Sequence, residues 1–129
     1  MSKAKAVVEA AIYNALSDAV DGATVYQDAP ADAAYPVVII GDMKSFGLGS
    51  KGATNDRRVT ISIISLVEAE ERAPLLKLQE QIEEALDGQT LEADGWTLGI
   101  VFDDDDAVLG EDGVTYSGIS SFSVLALAA

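Results

Sequence analysis

Between Trp96 and Asp103 the chain alternates Trp96, Leu98, Ile100 and Phe102 with Thr97, Gly99, Val101 and Asp103. A strict period of two places one set of side chains on each face of an extended strand, so this segment reads as a half-buried β-strand. Such a strand needs a sheet around it and a cover for its apolar face. The second requirement directs attention to helical stripes elsewhere in the chain.

Val8, Ile12, Leu16 and Val20 recur every four residues, with Ala11, Ala15 and Ala19 beside them. That spacing is the buried stripe of an amphipathic helix over about Lys3 to Asp21, closed by Gly22. A second helix is expected from Glu68 to Leu86, burying Leu75, Leu78, Ile82, Ala85 and Leu86. Acidic residues would sit in its first turn, and Pro74 is tolerable only near that turn. Asp87-Gly88 stops it.

Four further strands complete the pattern. Val25-Tyr26-Gln27-Asp28 forms the first, and Pro36 opens the second, whose β-branched run Val37 to Ile40 suggests burial on both faces. This strand extends toward Phe46. Arg57 to Val67 alternates Val59, Ile61 and Ile63 with Arg58, Thr60 and Ser62, antiparallel to its predecessor if the two make a long hairpin. Thr115 to Leu127 supplies the last strand. The expected fold class is therefore α+β, in the order α-β-β-β-α-β-β, with two helices on one face of a mainly antiparallel sheet. Residues 1–129 suit one domain.

The charge balance narrows the functional classes. Twenty-two acidic and eight basic side chains give a formal charge of −14. Binding to phosphates is unfavourable for such a surface, so a DNA-reading role is not expected. Without Cys there is no disulfide, zinc thiolate or thiol nucleophile, and without His the commonest general base and metal ligand is missing. Glu9, Asn14 and Asp18 interrupt the segment after the basic start Met1-Ser2-Lys3-Ala4-Lys5. Neither a signal peptide nor a membrane span is expected, which suits a cytoplasmic site of synthesis.

Two segments carry candidate contacts. Asp103, Asp104, Asp105 and Asp106, followed by Glu111 and Asp112, concentrate six carboxylates. An EF-hand register started at Asp105 puts Gly110 sixth but Ala107 and Leu109 where oxygen ligands are required, so that motif fails. Adjacent carboxylates could hold a weak cation; a solvated turn between strands is the ordinary alternative. No second constellation supplies a partner for carboxylate acid–base catalysis. Gly47-Leu48-Gly49-Ser50-Lys51-Gly52 lacks the phosphate-loop spacing and precedes no helix. It reads either as a flexible hairpin tip or as an arm ordered on a neighbouring subunit. Lys44, Lys51, Arg57 and Arg58 make this arm and its base basic, with Phe46 and Leu48 as apolar members. Basic arm and acidic turn are either complementary contacts between copies or two solvated ends of a sheet.

Taken in order, the N-terminal helix, Val25-Tyr26-x-x-Ala29-Pro30, Tyr35-Pro36-Val37-Val38-Ile39-Ile40-Gly41, the strand from Val59 to Leu66, the helix ending Ala85-Leu86 and two closing strands resemble the tail-terminator or tail-completion family. Its members serve siphovirus-type phages and gene transfer agents. The strand after Arg57 lacks the aromatics often found there, and the 103–106 segment is unusually acidic. The resemblance implies a non-enzymatic structural virion protein without cofactor or metal. It would form a ring, typically a homohexamer, at the head-proximal end of the tail after assembly in the host cytoplasm. Its partners would be other copies of itself, the tail tube protein and the head-tail connector protein, with no membrane. DNA would pass through an acidic bore without specific binding. On this reading Lys44, Phe46, Leu48, Lys51, Arg57 and Arg58 form the subunit interface, and the carboxylates from Asp103 to Asp112 face the lumen or an interface. Another phage neck or connector subunit, a small cytoplasmic binding module, or a carboxylate-dependent metalloenzyme are the alternatives.

Overall fold

A computed structural model describes residues 4–48 and 56–128. The elements are α1 (Ala4–Ala19), β1 (Thr24–Tyr26), β2 (Val37–Gly47), β3 (Arg57–Glu68), α2 (Ala73–Leu86), β4 (Thr90–Ala93), β5 (Trp96–Asp105), β6 (Val108–Leu109) and β7 (Thr115–Ala128). The strands form one seven-stranded sheet in the order β1-β2-β3-β7-β5-β4, with β6 paired to β7. Every pairing is antiparallel except β1 with β2, where Thr24 faces Val37 and Tyr26 faces Ile39.

The expected α+β architecture is present, with two short strands added to it. β4 was missed, although Asp94-Gly95 marks its hairpin with β5. Both residues take positive φ (50° and 83°), the conformation a two-residue hairpin turn demands. β6 is too short to carry any periodicity. β1 ends at Tyr26 rather than Asp28.

α2 starts at Ala73, not Glu68. Pro74 occupies the first helical turn, where its missing N–H is no loss, and both Leu75 and Leu76 donate to the Arg72 carbonyl. Glu68 therefore belongs to β3, and no acidic side chain lies in the helix's first turn. Beyond the C-terminus, Gly88 donates to the Ile100 carbonyl, Ile100 donates to the Gln89 carbonyl, and Phe102 donates to Asp87 Oδ1 at 2.8 Å. These three bonds tie the end of α2 to the edge of β5.

The core lies between the helices and one face of the sheet. Val8, Ile12 and Leu16 of α1 and Leu75, Ile82 and Leu86 of α2 are fully buried against Val59, Ile61 and Ile63 of β3, Leu98 and Ile100 of β5, and Phe122 and Val124 of β7. Phe122 meets Phe102 edge-on, with ring centroids 5.6 Å apart. β2 is bulged between Ile40 and Met43. Gly41 sits there because a Cβ would lie 3.0 Å from the Ile64 side chain and 3.2 Å from the Ser62 carbonyl.

Alternation along β7 yields a direct test. Phe122→Ala should cost about 3–5 kcal/mol, whereas Ile119→Ala, on the exposed face of the same strand, should stay within about 0.5 kcal/mol. Urea denaturation of the two variants measures the contrast.

Candidate assembly surfaces

The face of the sheet opposite the helices carries no helix. Directly paired residues share a face, so the β2–β3–β7–β5 ladders place Lys44, Thr60, Ser123 and Val101 in one row across it. The neighbouring row contains Phe46, Arg58, Leu125 and Gly99. Ile119, Leu125, Leu127 and Val101 are exposed here, separated by Ser and Thr.

Lys44 and Phe46 thus lie within paired strand, and the Lys44 ammonium stands 5.2 Å from the Phe46 ring centroid. Leu48 is exposed just beyond β2. Arg58 occupies the open face, whereas Arg57 faces Ala126 on the helix side and donates to the Asp56 carbonyl at 2.8 Å. Asp56 Oδ1 also accepts from the Ala128 amide, closing the end of the β3–β7 ladder. Most of the connection expected between Gly47 and Asp56, including Lys51, lies outside the described residues.

The acidic segment is not the turn that composition suggested. Asp103, Asp104 and Asp105 continue β5, with a bulge between Phe102 and Asp104 that admits one extra residue. Asp103 Oδ2 accepts from Ser123 Oγ at 2.7 Å, and Asp104 pairs with Ser121.

Asp106 and Asp112 have bonding duties inside the chain. Asp106 Oδ1 accepts from the Ile119 amide at 2.9 Å, and its carbonyl accepts from Gln79 Nε2 at 2.6 Å. Gln79, buried on α2, thereby pins the helix to the strand connection. Gly118 makes room for it, since a Cβ would collide with the Gln79 amide and lie 2.7 Å from the Asp106 carbonyl oxygen. Sequence reasoning missed Gln79, because a glutamine beside a leucine stripe reads as solvent-facing.

Asp112 organises the β6–β7 turn. Its Oδ1 accepts from the amides of Val114 and Thr115 at 3.0 and 2.9 Å, and Oδ2 accepts from the Thr115 hydroxyl at 2.5 Å. The Thr115 hydroxyl first, then the two amides, hold its carboxyl below the ordinary 3.8. Among the described residues no three carboxylates converge as metal ligands, and no helix is long and apolar enough to cross a membrane. A cleft of about 490 Å³ lies between the end of α1 and the start of α2, floored by Pro36, Val67, Pro74 and Leu78. None of the candidate interface or acidic-segment residues lines it.

The model of one protein family, Tail completion protein gp17, matches residues 5–126. The chain belongs to the tail completion protein gp17 family. It is a structural component of the virion tail. Among solved structures, a chain from the virion of native gene transfer agent (GTA) particle is similar in fold, with a TM-score of 0.84. It is 18% identical, covering 99% of this chain and 100% of that chain. No curated protein matches the chain. The family resemblance drawn from the Val25–Gly41 segment and its neighbours is thus borne out over nearly the whole tail completion chain.

Two outcomes test the internal roles. Asp112 binds its proton more weakly in the folded chain than in the unfolded one, so its stabilisation is present above the unfolded pKa and is lost as pH falls through its folded value. Protection of the Thr115 amide from hydrogen exchange should therefore persist below pH 3.8 and collapse on further acidification. Gly118→Ala should lower stability by about 1–3 kcal/mol through overpacking, measurable by thermal denaturation.

Proposed function

We propose that copies of this chain form a ring, a homohexamer, that closes the finished tail tube at its head-proximal end. The ring joins the tube protein to the head-tail connector protein. The family match across residues 5–126 carries this reading, and the likeness to a chain of a gene transfer agent virion supports it. An interface built from Lys44, Phe46, Leu48, Lys51, Arg57 and Arg58 holds neighbouring copies together.

The bore of this ring conducts DNA without binding it. Each copy contributes a formal −14, and carboxylates such as Asp105 and Glu111 are exposed to provide a repulsive wall. A polyanion slides past such a wall because no cation replaces its counterions.

Particles assembled without the protein should accumulate as filled heads and separate tails, counted by electron microscopy. A peptide tag on the chain should be decorated as a ring at the head-proximal end of the tail. Decoration at the distal tip, or normal joining in its absence, would refute the assignment.

A further inference from the structure

The open face of the sheet is electrically polarised from side to side. Lys44 and Arg58 stand on its β2–β3 side, while Asp103 and Asp104 stand on its β5 side. The acidic pair lies a few residues further along the strands than the basic pair: the row of Lys44 runs through Thr60 and Ser123 to Val101 and that of Arg58 through Leu125 to Gly99, whereas Asp104 pairs with Ser121 and Asp103 accepts from the Ser123 hydroxyl.

Both sides are also unfinished as sheet. β1 covers β2 only from Val37 to Ile39, so Met43 to Gly47 has no strand on its outer side among the described residues. β4 covers β5 only from Trp96 to Gly99, which leaves Asp103 to Asp105 without an outer strand among the same residues. Next to the charges on each side is an exposed apolar side chain, Phe46 (42% exposed) with the basic pair and Val101 (57%) with the acidic pair.

We infer that the β2 side of one copy docks against the β5 side of the next, setting Lys44 and Arg58 against Asp103 and Asp104 with Phe46 and Val101 between them. The occupant of each side is therefore a second copy of this chain. A lateral step across the sheet, with a slide of a few residues along the strands that brings the basic rows level with the acidic ones, keeps the strands antiparallel, since β2 and β5 run in opposite directions through the β3 and β7 ladders. Two different patches meet, so the contact is head-to-tail and repeats until rotation closes it into a ring. Same-side contacts are rejected because they would put like charges together. This rests on the ring reading above and adds which two surfaces meet.

The absence of cysteine provides the test. Lys44 and Asp103 are three strand spacings apart within one chain, about 14 Å at about 4.8 Å per step, beyond the roughly 7 Å limit for Cα atoms of a disulfide. A disulfide in the double variant Lys44→Cys/Asp103→Cys must therefore join two chains. Particles assembled with this variant and oxidised should show a ladder extending past two copies on a non-reducing gel, while either single variant stays monomeric. A double variant that remains monomeric in particles that contain it, or single variants that bridge equally well, would overturn the docking assignment.

A charge exchange supplies an independent check. Lys44→Asp with Arg58→Asp should reduce incorporation into particles at least tenfold, and adding Asp103→Lys with Asp104→Lys to the same chain should restore it. Failure of restoration would also count against the assignment. Glutaraldehyde fixation of native particles separates the two levels: a single copy per particle removes the ring itself, whereas multiple copies with no 44–103 bridge remove only this choice of surfaces.

Discussion

The antiparallel ladder between β3 and β7, running without interruption from Arg57↔Ala126 to Glu68↔Thr115, is the constraint on which the other elements depend. It joins the middle of the chain to its end, and both flanking strands take their register from it. β2 hangs on the free edge of β3, and β5 and β6 share the far edge of β7. On its inner face the ladder opposes Val59 to Val124 and Ile61 to Phe122, with Ile63 and Ala126 on the same face, giving the helices an apolar floor. A slip of one residue would turn that floor outward, which is why register is strongly specified here.

Covering only one face has a consequence for a tail component. The helix side is completed within the chain, with Gln79 and Asp106 binding α2 to the β5–β6 connection. The other side keeps the exposed apolar residues Val101, Ile119, Leu125 and Leu127, spaced by Ser and Thr. Folding is thereby completed on one face of the sheet, while the chain's own helices leave the other uncovered. The carboxylates differ in the same way: Asp106 and Asp112 are occupied by backbone amides, while Asp103 accepts from the Ser123 hydroxyl and Asp104 lies on the outer part of β5.

Much of this division was legible beforehand where the signal is local. The stripe at Val8, Ile12 and Leu16 and the alternation from Trp96 to Phe102 appear as written, because helix and strand periods are properties of neighbouring residues. The hairpin of β4 was equally legible through Asp94-Gly95 and went unread, since four residues with an exposed face carry little pattern. Glu68 was misplaced for a different reason: acidic residues suit a helix start, but the long pairing with β7 holds Glu68 in strand, and Pro74 defines the start of α2. The run from Asp103 to Asp105 looked like a turn because aspartate disfavours strands, yet β7 extends the ladder across it by means of a bulge.

By itself, then, the amino-acid order determined the two helical stripes and the long strands, which of their faces are apolar, the net charge of −14 and the family to which the chain belongs. The tertiary structure alone decided that β7 inserts between β3 and β5, that Gln79 is buried, and that Lys44 and Arg58 share one face with Asp103 and Asp104 at opposite sides of it. The physical reason is range: periodicity and turn chemistry act over a few residues, whereas strand order and the placement of charges across a sheet depend on pairings between residues some sixty positions apart, such as Thr60 with Ser123.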